Sequence, residues 1–325
     1  MKKTILSTLL LSSLASGAAF AELGEKGISG EVSINAGFMS ETSNFNTDGE
    51  ANNTTHNEAD AESQMLVAPL GSVAYTFGTE LDKQVFLGTS REDIAVGTFA
   101  LELGYRQELA SGMVVGVSFL PTVMAGETWS DPYALNTKRE TTDVTGNAYR
   151  LSLSDIAGSN FSLDLAYGTQ KIDNEKSGVT SGSAVQSTLA RDASTIYMKG
   201  EYKYGLDATS ALIPSATFVS HSADGSAMSY KAYGVELTYF KAYQRHQFGL
   251  TAGYTNRSYD GSNPVFDKTR SDDKYNLFAA YEYKQAFGLE NWSFISLAGY
   301  GNSSSNIEFY NESEYLMSVG MNYRF

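Results

Sequence analysis

Hydrophobic and polar positions alternate along most of this chain. The final run reads Tyr315-Leu316-Met317-Ser318-Val319-Gly320-Met321-Asn322-Tyr323-Arg324-Phe325, with every odd position apolar or aromatic and most even positions small or polar. Side chains alternate faces along a strand, so this segment has one greasy face and one that is not. The same period recurs upstream. Residues 27–39 put Ile28, Val32, Ile34, Ala36 and Phe38 on one face and Ser29, Glu31, Ser33 and Asn35 on the other. Residues 94–108 oppose Phe99, Leu101, Leu103 and Tyr105 to Glu102, Gly104 and Arg106. Tyr149, Leu151 and Leu153 oppose Arg150, Ser152 and Ser154, and Phe161, Leu163, Leu165 and Tyr167 oppose Ser162, Asp164 and Gly168.

The second half continues in this way. Ile196, Met198, Tyr202 and Tyr204 oppose Lys199, Glu201 and Lys203. Tyr233, Val235, Leu237 and Tyr239 oppose Gly234 and Glu236; Phe248, Leu250, Ala252 and Tyr254 oppose Gly249, Thr251 and Gly253. Tyr275, Leu277, Ala279, Tyr281 and Tyr283 oppose Asn276, Glu282 and Lys284. Less regular strands fall near 65–77, 84–90, 112–125, 211–221 and 291–302. In the last of these both phases are apolar, and its faces stay unassigned. The pattern predicts about fourteen strands, within a range of 12–16.

A soluble sandwich also has period two, so the connections must decide. Short turns are predicted near 78–83, 109–112, 156–159, 205–210, 242–246 and 285–291. Longer, more polar loops are predicted near 40–64, 126–145, 173–192, 222–227, 258–272 and 303–313, with one brief connection at 91–93. Long and short connections alternate, as in a barrel with one tight rim and one projecting rim. The greasy faces of the cleaner strands carry no charged residue, which at the bilayer midplane would cost about 2–4 kcal/mol. The expected fold is therefore an all-β, transmembrane, antiparallel up-and-down β-barrel.

Residues 1–21 read as a signal peptide: Lys2 and Lys3, an apolar run at 5–14, then Ala19-Phe20-Ala21. Residues 22–325 are expected to form the barrel, carried to the outer membrane of a Gram-negative envelope. There is no cysteine, so disulfides and thiolate metal sites are excluded. Formal charge is -14. Losing two lysines with the leader would take it to about -16, against nucleic-acid binding, which needs a basic face. Tyrosine (21), phenylalanine (17) and glycine (30) suit a barrel with interfacial aromatic belts.

Chemistry is sparse. The three histidines are His56, His221 and His246. Ser220-His221-Ser222-Ala223-Asp224-Gly225 superficially resembles the His-x-Ser stretch of outer-membrane phospholipases. Here, however, the His and Ser are adjacent, and neighbours on a strand point to opposite faces. No enzyme, metal site or cofactor is expected. The loop at 40–64 holds Glu41, Asp48, Glu50, Glu58, Asp60 and Glu62 without a Lys or Arg. It reads as a solvated surface loop, with an alternative in which it folds over the lumen; its spacing is not that of an EF-hand. The polar face carries the candidate functional residues: Glu31, Glu102, Arg106, Arg150, Asp164, Lys199, Glu201, Lys203, Glu236, Glu282, Lys284 and Arg324. They either fill the barrel as salt bridges or line a water-filled path. Fourteen strands enclose more space than eight and less than the 16–18 of large porins.

The stretches Leu120–Tyr133 (Leu-Pro-Thr-Val-Met-Ala-Gly-Glu-Thr-Trp-Ser-Asp-Pro-Tyr), Gly146-Asn147-Ala148-Tyr149-Arg150-Leu151 and Glu175-Lys176-Ser177-Gly178 resemble an uncharacterised Gram-negative envelope family, the domain of unknown function DUF2860. The resemblance covers nearly the whole chain after residue 21. It implies an envelope location and no particular activity. Trp129–Tyr133 sits in a predicted external loop, as a packed turn over the mouth or as a contact for a ligand or partner. The tail ending in Phe325 resembles the C-terminal signal read by the barrel assembly machinery. Expected partners are therefore that machinery, outer-membrane lipid and lipopolysaccharide, and small solutes. Three functions are ranked: first a passive channel for small hydrophilic solutes or ions, its acidic loops favouring cations; then a non-conducting barrel acting in surface contact or envelope integrity; and last an outer-membrane enzyme.

Overall fold

The computed structural model describes residues 23–89, 101–122 and 125–325. The leader expectation, Phe99, the brief 91–93 connection and the first part of the 94–108 strand lie outside them. The described chain is a closed antiparallel barrel of fourteen strands. These are β1 (Gly27–Thr42), β2 (Ala61–Phe77), β3 (Lys83–Gly88), β4 (Glu102–Glu108), β5 (Val114–Pro121, resumed at Gly126–Trp129), β6 (Thr141–Ser154) and β7 (Phe161–Ile172). There follow β8 (Ala193–Tyr202, resumed at Tyr204–Asp207), β9 (Ser210–Ala223), β10 (Tyr230–Tyr243), β11 (His246–Asn263), β12 (Lys268–Lys284), β13 (Trp292–Ser305) and β14 (Glu312–Arg324). Each strand pairs with the next, and β14 returns to β1. In lipid no water can satisfy an open strand edge, so the sheet must close on itself.

Closure runs from Glu31↔Arg324 to Thr42↔Ser313. Phe325 adds two further bonds: Gly30 N donates to its carbonyl (2.9 Å) and its N–H donates to the Gly30 carbonyl (3.0 Å). A Cβ on Gly30 would lie 2.7 Å from Cζ of the Phe325 ring, so only glycine lets that ring lie across β1.

The outward faces are apolar and exposed. Val235, Leu250 and Met317 are 58%, 55% and 65% exposed, left uncovered by the described residues. A soluble monomer rarely shows a continuous apolar belt of this kind; hydrocarbon is the solvent that fits it. β13, which the alternation left unassigned, turns Phe294 and Ala298 outward and buries Ile295 and Leu297 inside. Both phases are apolar because the interior has its own apolar cluster. Ala68, Leu70, Phe278, Ile295, Leu297 and Leu316 pack together across β12–β14 and β2.

The 258–272 loop expectation needs correction. β11 runs to Asn263 and β12 begins at Lys268, leaving a turn of four residues. Beyond the lipid, strands still pair but no longer need apolar side chains, so hydrophobic alternation fades before the ladder ends.

Replacing Leu250 by arginine places a charge on the lipid face of β11. The expected loss is about 2–4 kcal/mol if this position lies near the midplane, read as a lower midpoint of denaturant unfolding in lipid vesicles.

Candidate functional site

Besides that apolar cluster, the described residues place two structures inside the barrel: a ladder of ion pairs toward the short-turn rim, and a cap of packed loops at the long-loop rim. The ladder is built from the residues read as polar-faced in the sequence. Glu31, Glu102, Arg106, Arg150, Asp164, Lys199, Glu201, Glu236, Glu282, Lys284 and Arg324 all lie on the side opposite the apolar belt, and Lys203 sits in the break within β8. Arg150 Nε donates to both Asp164 oxygens at 2.9 Å, and its Nη1 lies 3.7 Å from Glu102. Lys199 stands between Glu236 (3.5 Å) and Glu201 (3.8 Å). Arg324 joins Glu31 (3.2 Å) to Glu282 (2.9 Å). With its amide turned to suit its neighbours, Gln247 donates to Glu282 (3.2 Å) and accepts from Lys284 (2.9 Å). Arg106 lies 4.1 Å from the centre of the inward-facing Phe86 ring. These twelve positions hold six carboxylates and six cations, so the ladder by itself has no preferred sign.

The cap was not legible as a unit in the sequence. The long loops meet over the mouth and make a small hydrophobic core from Phe45, Tyr133, Leu189, Met228, Phe309 and Tyr310. Phe309 and Tyr310 are fully buried. The 40–64 loop is thus only partly solvated: residues 43–46 are buried in the cap, while Asp48, Glu50, Glu58 and Asp60 remain exposed. His56 is fixed there too, its Nε2 2.8 Å from the Tyr133 carbonyl. Trp129–Tyr133 forms the packed turn, with Trp129 and Tyr133 almost fully buried. A short helix, α1 (Ser183–Thr188), lies in the 173–192 loop.

Two arginines tie the loops together. Arg191 donates to Glu175 (Nε, 2.7 Å), to the Trp129 carbonyl (2.7 Å) and to Thr128 Oγ1 (3.2 Å). Arg139 donates to the Asn44 carbonyl (2.9 Å) and to the Glu50 carbonyl, and covers the Trp129 ring at 4.1 Å. Burial lowers its pKa to about 10, still leaving it charged at neutral pH. Burial works to raise the Glu175 carboxyl, but the Arg191 guanidinium outweighs it and holds the group below the usual carboxylate range. Tyr133 and Tyr310 share a 2.7 Å hydrogen bond, Asn263 donates to Tyr310 (2.6 Å), and burial raises both phenols, which stay protonated.

Between cap and ladder lies a cavity of about 550 Å³. Arg257, Arg270, Lys274, Tyr197 and His221 reach it, and none was among the polar-face candidates. Arg270 fell in the 258–272 stretch that read as a loop, and Arg257 and Lys274 lay between that loop and the strands the alternation marked. His221 is held by Thr195 (Oγ1 to Nδ1, 2.8 Å) and stacks on Tyr230. Ser222 is exposed on the opposite face, so the adjacent pair is not a nucleophile beside its base. His246 lies near the short-turn rim, with Nδ1 2.8 Å from Tyr281 Oη.

The Glu175–Arg191 pair yields a pH test. Because Glu175 titrates below its ordinary 4.5, its contribution is complete above that pH and is lost as acid drives the pH through the lowered value. Trp129 emission, read in a Trp292→Phe background, should move to the red on acidification below about 4.5. In Glu175→Gln that step should vanish. Arg191→Met should open the cap at neutral pH, at a cost of about 3–5 kcal/mol for a broken buried pair.

Comparisons with known proteins supply a family and no activity. Among solved structures, the chain is similar to the CymD monoaromatic hydrocarbon channel (10% identity, 94% of this chain and 90% of that one, TM-score 0.49). It is also similar to an anion-selective porin from Comamonas acidovorans (8%, 93% and 100%, TM-score 0.45). A third is the outer membrane channel DcaP of Acinetobacter baumannii (9%, 92% and 96%, TM-score 0.43). Those solutes belong to those proteins. No curated protein matches the sequence. A family model does match, across residues 27–324, and the chain belongs to that family, described as protein of unknown function (DUF2860).

Proposed function

We propose that this chain is a passive outer-membrane channel for small water-soluble solutes or ions, with the loop cap as its closed resting state. The observation that supports this most is the mixed-charge interior. Side chains such as Arg150, with a third of its surface exposed inside the barrel, need water beside them. A solid core would have been apolar throughout. The apolar belt and the closed sheet support placement in the outer membrane, reached with a cleaved leader and with recognition of the Phe325 strand by the assembly machinery. Lipopolysaccharide and lipid would cover the belt. No catalysis is assigned: His221 serves to position Tyr230 and Thr195.

A second reading, a non-conducting barrel with a surface-contact role, draws its support from the same cap. Six loops sharing one hydrophobic core are more than closure by a single mobile loop requires. Single-channel recording in planar bilayers separates the two. The channel reading expects discrete conductance steps and a higher open probability in Arg191→Met. Absence of steps in both proteins at every voltage rejects it. In a conducting barrel, Glu102→Lys combined with Glu236→Lys should move the reversal potential toward anions. An unchanged reversal potential removes those two residues from the ion path.

A further inference from the structure

The cavity beneath the cap is built on two unlike sides. On one wall the upper inward positions of β6, β7, β9 and β10 are Val144, Ala148, Ala166, Ile172, Val219 and Ala232. Lower on the same strands the inward positions include Arg150, Asp164 and Glu236. A path meant for water and ions alone gains nothing from that switch, because apolar surface facing water is unfavourable at about 25 cal/mol per Å². The wall fits the body of an organic molecule.

The facing side is charged: Glu236, Glu312 and Lys274 line it, Lys274 lies 3.8 Å from Glu314, and Arg257 and Arg270 have one carboxylate between them. Arg270 donates to Asp272 Oδ1 through Nε (2.9 Å), and its Nη2 lies 2.8 Å from Asp272 Oδ2. Arg257 has the same carboxylate at 3.6 Å, donates to Tyr259 Oη (3.3 Å) and lies 4.7 Å from the centre of the Tyr230 ring. Two guanidinium groups therefore share one carboxylate. The Arg257 Nε is buried without a hydrogen-bond partner. A guanidinium that must share its one carboxylate is only partly compensated, so a second anion reaching this cluster from the cavity would be favourable. The cavity volume lies within the range typical of small-molecule sites.

We propose that this chamber binds one small amphipathic organic anion, a monocarboxylate with an aromatic or alkyl body. Its carboxylate meets Arg257, and its body lies on the apolar wall. This deepens the channel reading and rests on it for the route of entry. The exposed acidic loop residues do not oppose it strongly, since charges in water are screened over roughly 8 Å at physiological salt. A neutral solute gains no ion pair from the Arg257–Arg270 cluster, and an organic cation is repelled by it.

Calorimetric titration of the full barrel in detergent micelles with phenylacetate, benzyl alcohol and phenethylamine tests the proposal. Phenylacetate should saturate at one per barrel, with the alcohol and the amine at least tenfold weaker. Arg257→Gln should weaken phenylacetate at least tenfold while leaving the alcohol unchanged. Ala232→Trp, which keeps Arg257 and fills the wall, should abolish phenylacetate binding; it decides the matter if Arg257→Gln does not fold. The site is overturned if phenylacetate shows no saturable binding, if the three compounds bind alike, or if a folded Arg257→Gln, or a folded Ala232→Trp, binds phenylacetate as the unsubstituted barrel does. Bilayer recording keeps the two claims apart. Binding without conductance removes the channel and leaves the site; conductance without binding removes the site and leaves the channel.

Discussion

The rest of the structure depends on the pairing of β14 with β1. A backbone N–H or C=O left open in hydrocarbon costs several kcal/mol, and a strand edge presents a row of them. Twelve Cα partners from Glu31↔Arg324 to Thr42↔Ser313 remove that edge. The Gly30–Phe325 bonds extend the seam to the chain end. Once the sheet closes, every residue is assigned to one of two solvents by its parity alone. The apolar belt, the ion-pair ladder and the chamber are consequences of that assignment.

Parity is also why so much of the fold was legible. Ile28 to Phe38 on β1 and Tyr275 to Tyr283 on β12 read outward in the sequence and stand outward in the structure. Their partners Glu31 and Glu282 could then be placed inside without any knowledge of tertiary contacts. The method failed where one of the two solvents changed. On β13 the interior is itself apolar, so Ile295 and Leu297 gave no contrast with Phe294 and Ala298. At the ends of β11 and β12 the lipid has stopped; Arg270 read as a loop residue and Arg257 fell beyond the marked alternation, although both are in paired strands.

The cap lay beyond reach for a different reason. Its contacts join residues far apart in sequence, such as Tyr133 with Tyr310 and Asn44 with Phe309. No local period announces them. The loop composition was informative only about the exposed part: Asp48, Glu50, Glu58 and Asp60 are solvated, while Phe45 a few residues earlier is buried. Trp129 and Tyr133 were visible as a motif, but the arginines that hold them, Arg139 and Arg191, belong to segments whose overall character is polar. A buried guanidinium and a solvated one look the same in one dimension.

The internal apolar cluster also changes the shape of whatever path the barrel offers. Leu70, Phe278, Ile295, Leu297 and Leu316 pack against the inner wall of β12–β14 and β2, and Phe278 reaches over Gly299 to fill the space that residue leaves. The cluster therefore takes interior cross-section away from solvent on that side of the barrel. Electrical resistance follows the wetted cross-section and not the circumference of the wall. On the proposed reading, this barrel should behave as a narrower conduit than its strand number suggests, with Phe278 among the side chains that narrow it.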